Sequence, residues 1–96
     1  MAENVRYHLL LSGRVQGVLF RQSARAKALE LGLTGWAKNL IDGKVEIVVE
    51  GSRKEVEKFA VWAKQGPPLA RVKNAEESEE EYAGEFEGFL VREFGF

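Results

Sequence analysis

The chain has 96 residues, of which 45% are hydrophobic and 30% charged, a composition typical of one small globular domain. It contains no cysteine and a single histidine, His8, which excludes disulfides, thiolate zinc sites, cysteine nucleophiles and His-rich metal sites. The formal net charge of −1 argues against a general nucleic-acid-binding surface. We therefore expect residues 1–96 to form one domain, with no long apolar run to span a membrane and no signal-peptide pattern.

The near-neutral total hides a strong asymmetry of charge along the chain. Residues 1–75 carry 13 basic and 7 acidic side chains, a net +6, whereas residues 76–96 carry one arginine and eight glutamates, a net −7. Five of these glutamates fall within residues 76–81, where we expect an exposed edge strand or a loop. A site that binds anions is therefore expected among the first 75 residues.

The chain begins with a predicted strand and a predicted helix. Residues 5–12 alternate between apolar and polar side chains, and Leu10 makes the end of this strand apolar on both faces. That pattern favours a central strand that is covered on each side. Ser23–Leu31 has small and apolar residues at helical spacing, and Gly32 supplies a C-terminal stop.

A hairpin and a second helix follow. Residues 34–39 and 44–50 read as two strands joined by an Asp-Gly turn. Ser52 followed by Glu55 matches a capping box, which predicts that the second helix opens there, and the Gly-Pro-Pro of residues 66–68 ends it. The buried stripe of this helix is predicted to consist of Val56, Phe59, Ala60 and Ala63.

The C-terminal part of the chain gives weaker patterns. Residues 69–75 and 89–94 are the candidate strands there. The order strand–helix–strand–strand–helix–strand is typical of the ferredoxin-like βαββαβ fold. The sequence therefore predicts an α+β sandwich with an antiparallel sheet and two helices on one face.

The loop between the first strand and the first helix is the first candidate site. Gly13 and Gly17 allow backbone N–H groups to converge, and a following helix N-terminus adds partial positive charge. Arg21, at the end of the loop, carries a forked donor suited to phosphate oxygens. No Gly-Lys-Ser/Thr is present, so this is not a nucleotide P-loop. The alternative is an ordinary turn followed by a surface arginine.

The first hairpin strand holds the second candidate. Asn39 is unusual in a strand, because its side chain competes with the backbone hydrogen bonds, but its spacing favours the simpler interpretation that it begins the hairpin turn. Trp36 is predicted to be a core residue. His8 is expected to be packed or edge-facing, and Arg14 and Lys38 are expected to be solvated surface charges.

Several separated segments together resemble the acylphosphatase family. They are Gly13-x-Val15-Gln16-Gly17-Val18-x-Phe20-Arg21, Leu31-Gly32-Leu33-x-Gly35-Trp36-x-x-Asn39, Asp42-Gly43-x-Val45-Glu46 and Gly66-Pro67-Pro68-x-Ala70-x-Val72. The similarity runs in order through nearly the whole chain, as far as about Lys73. Two departures are Ala37, where the family usually has a bulkier apolar residue, and the heavier acidic run after residue 75.

The resemblance implies a ferredoxin-like enzyme that hydrolyses the carboxyl-phosphate bond of acyl phosphates. It makes Arg21 the phosphate-binding arginine and Asn39 the residue that positions water. It also implies that the phosphate rests on the backbone of Val15, Gln16, Gly17, Val18, Leu19 and Phe20, with Phe20 expected to anchor the loop in the core. We accordingly expect no cofactor, no metal, no nucleic-acid or membrane partner, a small-molecule substrate, a monomer and a cytoplasmic location.

The residue inventory restricts the chemistry further. An amide does not titrate usefully, so Asn39 cannot serve as a strong general base, and no obvious acid or metal accompanies it. Such a site suits a bond whose leaving group departs as a carboxylate, as in an acyl phosphate, and suits phosphate monoesters poorly. The alternative is a non-catalytic module that binds anions or proteins on the same fold. An RNA-binding sheet is disfavoured because no aromatic RNP-like strand is present.

Overall fold

The computed structural model describes residues 3–94, which form five strands and two helices. In chain order these are β1 (Asn4–Arg14), α1 (Phe20–Glu30), β2 (Thr34–Asn39), β3 (Val45–Ser52), α2 (Arg53–Gln65), β4 (Arg71–Glu80) and β5 (Phe89–Phe94). The strands make one sheet in the order β4-β1-β3-β2-β5. The ferredoxin-like α+β class predicted from the order of the elements is confirmed, and so is the candidate strand at residues 89–94, which forms β5 as a fifth strand beyond the βαββαβ pattern.

The sheet is mixed rather than wholly antiparallel, which corrects one part of the prediction. The pairs β1–β3, β1–β4 and β2–β3 are antiparallel, whereas β5 runs parallel to β2. The parallel pair arises because the chain leaves β4 at one edge of the sheet and crosses to the opposite edge before β5 begins. Residues 81–88 make this crossing.

The core lies between one face of the sheet and the two helices. Alternate residues of β1, from Val5 to Leu11, point into it and are buried, as are the partner positions Val45, Ile47 and Val49 of β3. The predicted stripe of α2 is confirmed, since the helix buries Val56, Phe59, Ala60 and Ala63. Leu10 belongs to the other face of β1 and is only half-buried. β1 is therefore central in the sheet, as predicted, but the helices cover just one of its faces.

The two helices begin differently from the sequence prediction. α1 starts at Phe20 instead of Ser23, because Leu19 takes a left-handed conformation and turns the chain directly into the helix. The predicted capping box of α2 is wrong, since the Ser52 side chain makes no capping hydrogen bond. Ser52 still belongs to β3, and the amide of Arg53 instead donates to the backbone carbonyl of Glu3 at 2.8 Å.

The face of the sheet away from the helices carries Trp36, which corrects its assignment to the core. Ala37 points into the core and is fully buried, so its neighbours in the strand must point the other way. Trp36 is half-buried there, with the Lys38 amine 4.8 Å from the centre of its ring. Lys38 is also 3.5 Å from Glu46, and His8 Nε2 lies 2.6 Å from the same carboxylate. Lys38 is therefore a packed, paired cation and not a solvated one.

Candidate functional site

The loop between β1 and α1 is held by side chains that pack into the core. Val15, Val18 and Phe20 are each no more than 3% exposed. The Phe20 ring packs 5.7 Å from that of Trp62 in α2, which confirms Phe20 as the expected anchor. Gly17 adopts a φ of 74°, where a glycine is favoured. The loop therefore has a defined backbone course between two buried ends.

Gln16 ties this loop to the turn between β2 and β3. Its Nε2 donates to the carbonyl of Leu40 at 2.8 Å and to the carbonyl of Lys44 at 2.9 Å. Leu40 directly follows Asn39, so these bonds hold the end of β2 against the loop. The sequence prediction used only the backbone of Gln16 and missed the function of its side chain, because its partners lie 24 and 28 residues away.

A cleft of about 180 Å³ opens beside the loop and brings the two principal candidates together. Arg21 and Asn39 are 18 positions apart in the sequence, and both line it. The described residues that line it are Val15, Gly17, Leu19, Phe20, Arg21, Gln22 and Asn39. Six of these residues were predicted as site residues. Gln22 was missed, and its position beside Arg21 in the first turn of α1 is the feature that could have indicated it.

Two of the predicted site residues do not line the cleft. Val18 is buried beneath the loop, and the Gln16 side chain is directed to the β2–β3 turn. Their side chains therefore support the loop from behind. Any direct contact of these two residues with a ligand would have to come from their backbone groups.

The electrostatics of the cleft favour an anion. Arg21 is the charged residue of its lining, and its Nη1 donates to the backbone carbonyl of Arg92 in β5. This bond orients the guanidinium without neutralising it. α1 also begins at the cleft, and the first amides of a helix have no partner within the helix. A guanidinium and helix N–H groups that converge on one cleft can bind several oxygens of a phosphate.

The acidic run lies far from this cleft. Glu76 pairs with Leu10 and Glu80 with Arg6, whereas the cleft end of β1 is at Arg14. At about 3.3 Å per residue, these glutamates are displaced from that end by about 13 to 26 Å along the strand. They are also on the opposite edge of the sheet from β5. This separation exceeds the Debye length of about 8–10 Å, so the run has little effect on an anion in the cleft.

Two further observations concern metal sites and membrane-spanning helices, neither of which the sequence predicted. Among residues 3–94, no group of three or more His, Cys, Asp or Glu side chains is arranged to hold a metal ion. In the same part of the chain, neither helix is long and apolar enough to cross a membrane.

Comparison with known proteins decides the family. The acylphosphatase family model matches residues 7–91, which include the loop, Arg21 and Asn39. The chain belongs to the acylphosphatase family. It is 52% identical over 86 residues to an acylphosphatase from Methylococcus capsulatus, covering 90% of this chain and 94% of that one. It is also 52% identical over 90 residues to one from Pyrobaculum islandicum, covering 93% and 95%.

A solved structure agrees with the sequence relatives. The acylphosphatase from Coxiella burnetii superposes with a TM-score of 0.88 at 44% identity, and the match covers 93% of each chain. Because the relatives match almost from end to end, this acylphosphatase-family chain is an enzyme of the hydrolase class.

Proposed function

We propose that the cleft lined by Arg21 and Asn39 is the active site, where an acyl phosphate is hydrolysed to a carboxylate and inorganic phosphate. The observation that carries this proposal is the meeting of a guanidinium, a helix N-terminus and an asparagine amide in one cleft that no carboxylate of residues 3–94 lines. The acylphosphatase family acts on substrates of this kind, which agrees with that arrangement.

The phosphate is bound by Arg21 and by backbone N–H groups. The amides of the loop from Val15 to Phe20 and of the first turn of α1 donate to the phosphate oxygens, and Arg21 adds a charged donor. Phosphoryl transfer has a loose transition state, so holding and neutralising these oxygens supplies most of the catalysis.

Asn39 positions the attacking water. Its side-chain oxygen accepts a hydrogen bond from the water, and its NH₂ group can donate to a substrate oxygen. Gln16 holds the adjacent residue, Leu40, through its carbonyl. The water therefore approaches phosphorus from a direction set by the end of β2, in line with the bond to the departing carboxylate.

The substrate itself accepts the proton of the water. Among the described residues, the cleft lining contains one arginine and no other ionisable side chain, and a guanidinium stays protonated. As the P–O bond to the acyl group breaks, its electron pair leaves with a carboxylate that needs no proton. The water oxygen forms the new bond to phosphorus, and its proton passes to a phosphate oxygen. An alkyl alcohol is a far poorer anionic leaving group, so phosphate monoesters should be hydrolysed poorly.

A single assay tests this proposal. Purified protein should release inorganic phosphate from benzoyl phosphate, and an excess of EDTA should leave the rate unchanged. Glycerol 3-phosphate, whose leaving group is an alkyl alcohol, serves as a monoester control and should react far more slowly. If phosphate protects the protein against thermal unfolding but no acyl phosphate is hydrolysed, the site is a non-catalytic anion-binding module instead.

The biological setting is also a proposal. The family match spans most of the chain, which supports a single domain over residues 1–96. We expect this domain to act as a monomer in the cytoplasm on a free small molecule, without a cofactor or a nucleic-acid partner. Sedimentation equilibrium and cell fractionation test the oligomeric state and the location.

A further inference from the structure

Leu19 is the exposed apolar side chain of the cleft. Val15 and Phe20 also line it, but they are 1% and 2% exposed and offer almost no surface, whereas Leu19 is 65% exposed. Gly17 has no side chain, and the remaining lining residues are polar. The cleft thus has a polar part suited to phosphate and one apolar side chain at its opening.

The backbone conformation of Leu19 is unfavourable for a residue with a large side chain. Its φ is 64°, in the left-handed region, and it is the non-glycine residue with a positive φ among residues 3–94. Glycine and asparagine adopt this conformation more readily than leucine, and an exposed leucine gains little from burial. Leu19 is therefore a poor residue for stability at this position, which points to a use in ligand binding.

We propose that the acyl group of the substrate packs against Leu19, so that the enzyme favours acyl phosphates with an extended apolar acyl group. This inference rests on the proposed function of the cleft. When phosphate occupies the loop and the start of α1, the acyl group must leave the cleft through its opening, and Leu19 offers it apolar contact there. Burying methylene groups against this side chain gains free energy through the hydrophobic effect.

The contact should appear as a dependence on chain length. Acetyl, butyryl and hexanoyl phosphate have nearly equal leaving groups, so differences in kcat/KM among them report contact with the acyl chain. In the wild-type enzyme, kcat/KM should rise from acetyl to hexanoyl phosphate, mainly through a lower KM, because the contact exists before and during the reaction.

Leu19→Asn removes the apolar surface and keeps a residue that tolerates a left-handed backbone. We expect the ratio of kcat/KM for hexanoyl to acetyl phosphate to fall about fivefold. The ratio is the readout because Leu19 belongs to the phosphate-binding loop, and a change in phosphate contacts would affect both substrates alike and cancel in the ratio. Leu19→Met keeps an apolar side chain and should preserve the ratio.

Leu29→Asn is the matched control, because Leu29 is an exposed leucine at the other end of α1 and does not line the cleft. A ratio that is unchanged in Leu19→Asn, or one that falls equally in Leu29→Asn, overturns the proposed contact. Hydrolysis of acetyl phosphate by the wild type and by Leu29→Asn would show that the proposed function stands even so. If the wild-type protein hydrolyses none of the three substrates, both proposals are wrong.

Discussion

Charged side chains are arranged differently in the cleft and at the acidic edge of the sheet, which is formed by β4. At the acidic edge, carboxylates are paired: Arg53 binds Glu3 at 2.6 Å and Glu79 through two hydrogen bonds, and Lys64 binds Glu77 at 2.9 Å. In the cleft, the guanidinium of Arg21 bonds to a backbone carbonyl, and no carboxylate lines the site in the part of the chain that the structure describes.

This difference explains why the average charge of the chain is misleading. Three glutamates of the acidic run pair at that edge with cations from β1 and α2: Glu80 with Arg6, Glu79 with Arg53 and Glu77 with Lys64. Their distance from the cleft exceeds the Debye length, so their charge is screened there. Among the described lining residues of the cleft, Arg21 carries the one charge, which suits an anionic ligand. Variants at the two ends should therefore affect different properties, activity at one and stability at the other.

The largest effect is expected from Arg21→Ala. Removing a charged donor to the transferring phosphoryl group should lower kcat/KM for benzoyl phosphate about 10³-fold, or about 4 kcal/mol. Arg25→Ala is the matched control one turn further along α1, where Arg25 bonds to the carbonyl of Phe89, and it should retain activity. Steady-state kinetics of both variants checks this, and equal losses in the two would contradict the assignment.

The second-largest effect is expected from Glu50→Gln. The Glu50 carboxylate is 1% exposed and lies at the end of the sheet opposite the cleft. It accepts hydrogen bonds from the amides of Ala83 at 2.9 Å and Gly84 at 3.2 Å, and so fastens the crossing segment 81–88. Glu50→Gln replaces an acceptor by a donor that faces an amide, which should cost about 2–3 kcal/mol of unfolding free energy.

Urea unfolding measures this change, with Glu81→Gln as the control at an exposed glutamate of the same segment. The kcat of folded Glu50→Gln should equal that of the wild type. A loss of activity without a loss of stability would mean that the two ends of the sheet are coupled.

A smaller effect is expected from Gln16→Ala. Losing the two hydrogen bonds to the carbonyls of Leu40 and Lys44 should loosen the end of β2 and lower kcat about tenfold, with phosphate affinity almost unchanged. Gln16→Glu has nearly the same shape but no donors, and should lose at least as much. A wild-type kcat in both variants would show that activity does not depend on these two hydrogen bonds.

The smallest effect concerns acid stability at the charged edge. Hydrogen bonds from Arg53 hold the pKa of Glu3 and of Glu79 below their ordinary value. Because the folded pKa is the lower one, the pairs stabilise the protein above about pH 4.5, and this stability is lost as the pH falls through the folded values. Both carboxylates are exposed, so the contribution is small.

Arg53→Ala should therefore lower Tm at pH 7 by no more than a few degrees, and the difference from wild type should vanish in acid. Thermal unfolding followed from pH 3 to pH 7 tests the sign of this dependence. A difference that grows as the pH falls would contradict it.

Local patterns in the sequence predicted much of the fold. The buried stripe of α2 and the β2–β3 hairpin follow from spacing and turn residues alone, and the loop with Arg21 was a candidate from its glycines and its place after a strand. The prediction of Asn39 as a site residue depended on the family resemblance, because its spacing alone favoured a simple turn.

What the sequence did not predict depends on contacts between distant residues. Glu50 is buried because amides 33 and 34 residues away bond to it, and no local pattern encodes those partners. Trp36 faces away from the core because the register of β2 directs Ala37 inward. The bonds of Gln16 likewise depend on how the loop docks on the hairpin.

The central claim is that Arg21 binds the phosphate and Asn39 positions the water, and one paired measurement tests it most directly. Inorganic phosphate binding by calorimetry and benzoyl phosphate hydrolysis are compared in the wild type, Arg21→Ala and Asn39→Ala. We expect Asn39→Ala to bind phosphate as the wild type does while its kcat falls about 10³-fold, and Arg21→Ala to lose phosphate binding. Normal turnover in Asn39→Ala, or normal phosphate affinity in Arg21→Ala, would contradict this division of roles.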